Sequence, residues 1–153
     1  MKQEIERKFM VNGDGWRSAA GAGVAMRQGY LSMDAGGATV RVRVVDGGGG
    51  VLTIKSPTVG ISRAEMEYEI PAADAVFMIE HLCAGRVISK TRYIVEYAGA
   101  RWEVDEFSGA HAGLVLAEIE LESETQPVVL PDWVGAEVSH DPRYTNAALS
   151  LRS

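Results

Sequence analysis

Lys2-Gln3-Glu4-Ile5-Glu6-Arg7-Lys8-Phe9-Met10 opens the chain with a pattern of period two. In an extended strand, successive side chains point to opposite faces. Glu4, Glu6 and Lys8 therefore share one face, and Ile5, Arg7 and Phe9 the other. The same grammar recurs along the chain. It predicts strands near 2–10, 25–33, 38–46, 51–56, 61–70, 86–97, 100–107 and 114–123. Short turns join many of them, so the pairing is expected to be mostly antiparallel, and about eight strands can close into a barrel. The expected class is mainly β within α+β: a closed antiparallel eight-stranded barrel with covering helices and a C-terminal helix.

Glycine runs at 13–15, 21–23, 36–37 and 47–50 separate the strands. The 47–50 run has no following Lys-Ser or Lys-Thr and is not a P-loop; Gly21-Ala22-Gly23 completes no dinucleotide fingerprint. Both read as plain turns. A helix is expected over 72–84, with Ala75, Val76, Ile79, Leu82 and Cys83 on one stripe, Pro71 before it and Gly85 after it. Asp141-Pro142 starts a second helix through Tyr144, Ala148 and Leu151, with Trp133 beside it. No repeat or linker divides the chain, and 1–153 reads as a single domain.

The polar faces carry the functional signal. Arg41 and Arg43 oppose Val40, Val42 and Val44, and Lys55 opposes Ile54. Arg63, Glu65, Glu67 and Glu69 share a face, as do Lys90 and Arg92, Glu103 and Asp105, and Glu118, Glu120 and Glu122. A half-solvated sheet also alternates, but its polar face mixes Ser, Thr and Gln with both charges. Here the polar faces are almost wholly ionisable. Carboxylates gather on the first, fifth, seventh and eighth strands, and cations on the third, fourth and sixth. Closing the strands with apolar faces outward would put this charge in a tunnel, which is costly if unpaired. A polyanion and divalent cations would balance it: Arg and Lys grip phosphate oxygens, while carboxylates hold Mg²⁺ or Mn²⁺.

The remaining composition narrows the field. The net charge is −6 over 153 residues, which argues against nucleic-acid binding through a general basic surface. No apolar run approaches a membrane span, and Met1-Lys2-Gln3-Glu4 lacks the apolar stretch of a secretory signal. Cys83 is the one cysteine, which excludes an internal disulfide. The expected setting is the cytoplasm, and a homodimer is compatible with this composition. His81, His111 and His140 have no ligand spacing for zinc. Cys83 reads as a packed small hydrophobe, and Tyr68, Tyr93 and Tyr97 as core or helix-covering groups.

Glu4-x-Glu6-x-Lys8 resembles the opening signature of the CYTH domain, within the triphosphate tunnel metalloenzymes. Similar motifs follow in family order: Gln28-Gly29-Tyr30-Leu31, Arg41-x-Arg43, Thr53-Ile54-Lys55, Arg63-x-Glu65-x-Glu67, Lys90-Thr91-Arg92-Tyr93, Asp105, Glu118-x-Glu120 and Arg143-Tyr144-x-Asn146. The resemblance implies an eight-stranded tunnel barrel and metal held by Glu4, Glu6, Glu118 and Glu120. It places phosphate on Lys8, Arg41, Arg43, Lys55, Lys90 and Arg92. Asp105, Glu65 and Glu67 are similar to further tunnel acids that complete a second metal site or orient the attacking water. The Arg143–Asn146 segment resembles one that closes the tunnel in short bacterial members.

Members of such a family cleave inorganic triphosphate, thiamine triphosphate or nucleoside and RNA triphosphates, or cyclise ATP as class IV adenylate cyclases. Tyr30 is the clear aromatic residue on an inward face, and a base or thiamine ring would want a larger platform. A bare small-molecule triphosphate is therefore the expected substrate, hydrolysed with Mg²⁺ or Mn²⁺, with no nucleic acid or membrane partner. A non-catalytic polyphosphate-binding module is the alternative from another class, and so many acids count against it. Lys8 and Tyr30 fall on the first two strands. Pairing of those strands would set the two side by side, either with Tyr30 as general acid and Lys8 tuning it, or with Tyr30 only lining the tunnel wall and Lys8 only binding charge.

Overall fold

The computed structural model describes residues 1–34 and 36–152. Nine strands follow in chain order: β1 (Lys2–Val11), β2 (Val24–Met33), β3 (Thr39–Val45), β4 (Gly50–Lys55), β5 (Ser62–Ile70), β6 (Val87–Tyr97), β7 (Ala100–Phe107), β8 (Val115–Glu120) and β9 (Val134–Glu137). All pairings between them are antiparallel. The sheet order is β5-β4-β3-β2-β6-β7-β8-β1-β9, and a further β5–β1 pairing closes the first eight strands into a barrel. β1 is the seam: residues 2–5 pair with β5, 6–10 with β8, and its far end with β9.

Seven of the eight expected strands form within a residue or two of their expected bounds, the last stops at Glu120 rather than 123, and β9 is additional. One expectation about pairing fails. β1 and β2 are consecutive in sequence but not neighbours, since β2 lies between β3 and β6. Lys8 and Tyr30 therefore do not sit across a strand pair.

The outer faces are apolar and are covered by different elements. Helix α1 (Ala72–His81) lies over β2, β3 and β4, where Ala75, Ile79 and Cys83 pack with Val42. Two glycines permit this approach: a Cβ on Gly29 would stand 2.5 Å from Cys83 Sγ, and one on Gly50 2.5 Å from Ala75 Cβ. The helix stops before the expected residue 84, because Ala84 and Gly85 turn to φ values of 51° and 77°. Cys83 is buried in this cluster, as expected of a small hydrophobe.

The other outer flank gathers Phe9, Val95, Trp102, Val104, Ala117 and Ile119. A short 3₁₀ turn, Gly15–Ala19, covers it with Trp16. Trp133 was expected beside the C-terminal helix, but it meets Trp102 edge-on here, 5.7 Å between ring centroids. Emptying this layer by Trp102→Ala would cost roughly 3–5 kcal/mol. Tyr93 packs edge-on against Trp16, whereas Tyr68 is exposed rather than in the core.

The C-terminal segment does not lie on the outside. A 3₁₀ turn (Pro142–Tyr144) begins at Asp141, whose side chain caps Arg143 N–H, and α2 (Asn146–Ser150) follows, capped by Thr145. Leu149 packs with Ile88, Phe107 and Leu116. Those three share the inward rows of Lys90, Asp105 and Glu118: Ile88 and Leu116 lie two residues before, and Phe107 two residues after, their charged neighbours. One end of the barrel interior is thus apolar and stoppered by α2.

Candidate active site

The barrel encloses a cavity of about 310 Å³ lined by charged side chains from every barrel strand except β2, which contributes Tyr30, with the segment 138–147 as one wall. Alternation on β1 brings Glu4, Glu6 and Lys8 inward. β3 adds Arg41 and Arg43, β4 adds Lys55, and β5 adds Arg63, Glu65 and Glu67. Of the expected set, Arg92, Glu118, Glu120 and Tyr30 also reach the cavity, as does Glu103. Lys2 also lines it and was not foreseen, while Tyr144 and Asn146 line it from the segment expected to close the tunnel. The strand parity that placed Glu65 and Asp105 inward also placed Arg63 and Glu103 there.

Most charges inside are paired. Lys55 Nζ lies 3.1 Å from Glu4 and 3.3 Å from Glu65, and Arg63 Nε is 3.0 Å from Glu4. Lys8 Nζ is 3.3 Å from Glu118 and donates to the Tyr144 carbonyl at 3.1 Å. Lys2 reaches Glu120 at 2.6 Å. Burial opposes ionisation of Glu4, but its hydrogen bond with Glu65 and the charges of Lys55 and Arg63 bring its pKa down to about 2. Glu65 takes the opposite course: burial and the adjoining Glu4 push it up to about 7.

Two expected site residues sit below the cavity wall. Lys90 Nζ lies 2.7 Å from Asp105 and 3.0 Å from Asn146 Oδ1, over the Phe107 ring. Asp105 also accepts two hydrogen bonds from Arg92, at 2.7 and 2.8 Å. Burial, with Arg92 and Arg43 nearby, draws the Lys90 pKa down to about 7 against the pull of Asp105. Neither Lys90 nor Asp105 lines the cavity. The pair braces Arg92 from behind, and parity alone could not show how deep along the barrel it would lie.

Four cavity-lining groups break the pairing among the described residues: Arg41, Arg43, Glu6 and the exposed Glu67, which accepts only from Thr53 Oγ1 at 3.5 Å. Arg41 and Arg43 line the cavity without a carboxylate within 4 Å among the described residues. Arg41 Nη2 donates to Thr53 Oγ1 at 3.2 Å, and its buried Nε has no acceptor. Arg43 Nε donates to Gln28 Oε1 at 2.9 Å. Burial, then Arg41 and Arg92, lower the Arg43 pKa to about 10. Glu6 is the converse: it has no cation within 4 Å among the described residues, and its pKa rises to about 8 through burial and the charges of Glu118 and Glu4.

Apart from the exposed Glu67, the interior thus holds two unpaired guanidinium groups and an unpaired carboxyl group, Glu6. The first suit phosphate oxygens, which accept bidentate donation from Arg. The second sits in a negative potential. Among the described residues no three acids converge into a ready coordination shell. The donor set nonetheless fits a hard divalent cation: it is all oxygen, and Glu6 keeps its proton for want of another positive charge.

The model of the CYTH domain matches residues 2–146. The chain is 50% identical over 149 residues to an inorganic triphosphatase of Acetivibrio thermocellus, covering 97% of this chain and 94% of that protein. It is 39% identical over 153 residues to an inorganic triphosphatase of Nitrosomonas europaea, covering 97% of both. The crystal structure of the inorganic triphosphatase NE1496 superposes with a TM-score of 0.68 at 35% identity, over 96% of this chain and 97% of that one.

Proposed function

The chain belongs to the CYTH domain family, and from that premise we propose that it hydrolyses inorganic triphosphate to pyrophosphate and phosphate inside its tunnel. Two similar proteins named inorganic triphosphatase, one of them half identical over nearly the whole chain, support the substrate. The observation that carries the reading is the charge left over inside the barrel. Arg41 and Arg43 lack anions and Glu6 lacks a cation, within one cavity of about 310 Å³. A triphosphate brought in with a divalent cation would satisfy all three.

Family membership implies a metal, and Mg²⁺ or Mn²⁺ suits these oxygen donors. Glu6 would hold it together with Glu4, Glu118 and Glu120. When bound, the ion neutralises phosphate charge and polarises the bond to be broken. The chain's own groups do the rest. Arg41 and Arg43 seat the phosphate chain by donating to its oxygens. Lys8, Lys55 and Arg92 exchange part of their carboxylate contacts for phosphate ones. Glu65 and Glu67 orient the attacking water, and Tyr30 donates a proton to the departing phosphate oxygen. Positioning plus electrostatic stabilisation is the main demand of phosphoryl transfer.

Lys90 and Asp105 take a different part: they fix Arg92 and hold Asn146, so that α2 stays seated in the barrel end. No helix among the described residues is long and apolar enough to cross a membrane; the cytoplasmic setting we propose rests on the lone Cys83, which suits a reducing compartment. Phosphate release from inorganic triphosphate, with and without divalent metal, tests the proposal.

A further inference from the structure

We infer that Gln28 is a positioning residue for the reaction: its side-chain amide fixes the direction of the Tyr30 hydroxyl and turns the phenolic proton into the tunnel. The inference rests on the reading that the tunnel takes triphosphate, and it assigns a role to a residue that the charged motifs pass over.

Gln28 is fully buried, and both ends of its amide are engaged. On β2 it shares the inward face with Tyr30, two residues on. Across the β2–β3 ladder, Gln28 stands opposite Arg43, and Tyr30 opposite Arg41. Arg43 Nε meets Gln28 Oε1 at 2.9 Å, and Gln28 Nε2 meets Tyr30 Oη at 3.1 Å.

The polarity of this chain follows from the donor inventory. A guanidinium can only donate, so the amide oxygen must face Arg43. The amide nitrogen then faces Tyr30, and it too can only donate. Tyr30 Oη is therefore the acceptor in that contact, and its own proton must turn elsewhere. Among the described residues no other hydrogen-bond partner of Tyr30 Oη is found, and the side chain lines the cavity. The acceptor for the proton is thus a phosphate oxygen in the tunnel. The same relay aids the transfer, since the cationic Arg43 polarises the amide that donates into the phenol oxygen. The amide steadies that oxygen as its proton leaves.

Two substitutions separate this role from mere packing. Gln28→Met keeps the length and removes donor and acceptor alike. Gln28→Glu keeps an acceptor for Arg43 but offers Tyr30 an acceptor where a donor stood. Tyr30→Phe sets the scale, since a general acid contributes ~10²–10⁴-fold. Either Gln28 variant should lower kcat by roughly 10-fold or more. In a Tyr30→Phe background, neither should lower kcat further, because both act through the hydroxyl already removed. Any effect through Arg43 would appear in KM, equally in both backgrounds.

A parental kcat in Gln28→Met overturns the inference, and so does a further fall of kcat on the Tyr30→Phe background. Neutron diffraction from deuterium-exchanged crystals reads the geometry without turnover. The Tyr30 deuteron should point away from Gln28 into the tunnel, with the Gln28 Nε2 deuteron lying between the two side chains, and a Tyr30 Oη deuteron directed at Gln28 refutes the relay. A parent protein that releases no phosphate from triphosphate contradicts the proposed function instead, and the neutron map still decides the direction.

Discussion

Glu6 stands directly across the β1–β8 ladder from Glu120, and one inward step along the same pair sets Lys8 opposite Glu118. Two acids are thus held side by side with one of them, Glu6, lacking any cation partner. Glu6→Gln and Glu120→Gln should each abolish triphosphate turnover while leaving the metal-free fold as stable as the parent or more so. Each removes a metal ligand; Glu6→Gln also relieves repulsion with the buried Glu118 and Glu4, and Glu120→Gln gives up only an exposed ion pair with Lys2. Phosphate-release assays and thermal melts check both halves, and normal turnover in either variant would remove that residue from the metal site.

Stability without metal should depend on pH through the same residue. Folding raises the Glu6 pKa from 4.5 to about 8, so the fold keeps a proton that the unfolded chain has lost. The contribution is fully present below about pH 4.5 and is lost as the pH rises towards 8. Glu65, raised to about 7, acts in the same direction. Lys90, lowered to about 7 from 10.5, acts oppositely, adding stability as the pH rises above 7. The metal-free melting temperature should therefore fall between about pH 5 and pH 7. Glu6→Gln should flatten that slope, and added divalent cation should stabilise the parent more at alkaline than at acidic pH. A slope identical in parent and variant would contradict the assignment.

Arg41→Ala and Arg43→Ala should raise KM or cut kcat/KM steeply. Both should also weaken the thermal stabilisation that added triphosphate gives the barrel. Neither breaks an ion pair within 4 Å among the described residues, so the unliganded fold should tolerate both substitutions. Variants that behave like the parent at every triphosphate concentration would remove these arginines from the substrate.

Asp105→Asn should behave unlike the other tunnel acids. Asp105 is 1% exposed and is the shared partner of Lys90 and Arg92, so its loss leaves two buried cations short of an anion. Breaking a buried pair this way costs roughly 3–5 kcal/mol. Denaturant unfolding without metal should show that loss, where Glu6→Gln shows none. Equal stability of Asp105→Asn and parent would return Asp105 to the metal ligands.

Period-two alternation carried much of this fold, because a strand's two faces are local information. Glu4, Glu6 and Lys8 could be placed inward from ten residues of sequence. Which strand neighbours which is not local: β6 inserts beside β2, and β1 lies between β5 and β8, so the Lys8–Tyr30 pairing had no means of being tested by pattern. Depth along the barrel is equally hidden. Lys90 and Arg92 share a face, yet Lys90 is sealed above Phe107 while Arg92 reaches the cavity. β9, only Val134–Glu137, is too short to show alternation, and it forms because β1 offers it an edge. Gln28 carries no charge and so did not stand out among ionisable neighbours, although its place on the inward row of β2 was legible.

The most direct measurement is phosphate release by the purified protein from inorganic triphosphate, pyrophosphate, ATP, GTP and thiamine triphosphate. Each substrate is assayed with Mg²⁺, with Mn²⁺ and with a chelator, and cyclic AMP formation from ATP is followed in parallel. The account predicts that triphosphate is cleaved fastest, to phosphate and pyrophosphate, and that the chelator abolishes turnover. Triphosphate left intact under every metal condition, or ATP converted to cyclic AMP faster than triphosphate is hydrolysed, would contradict it.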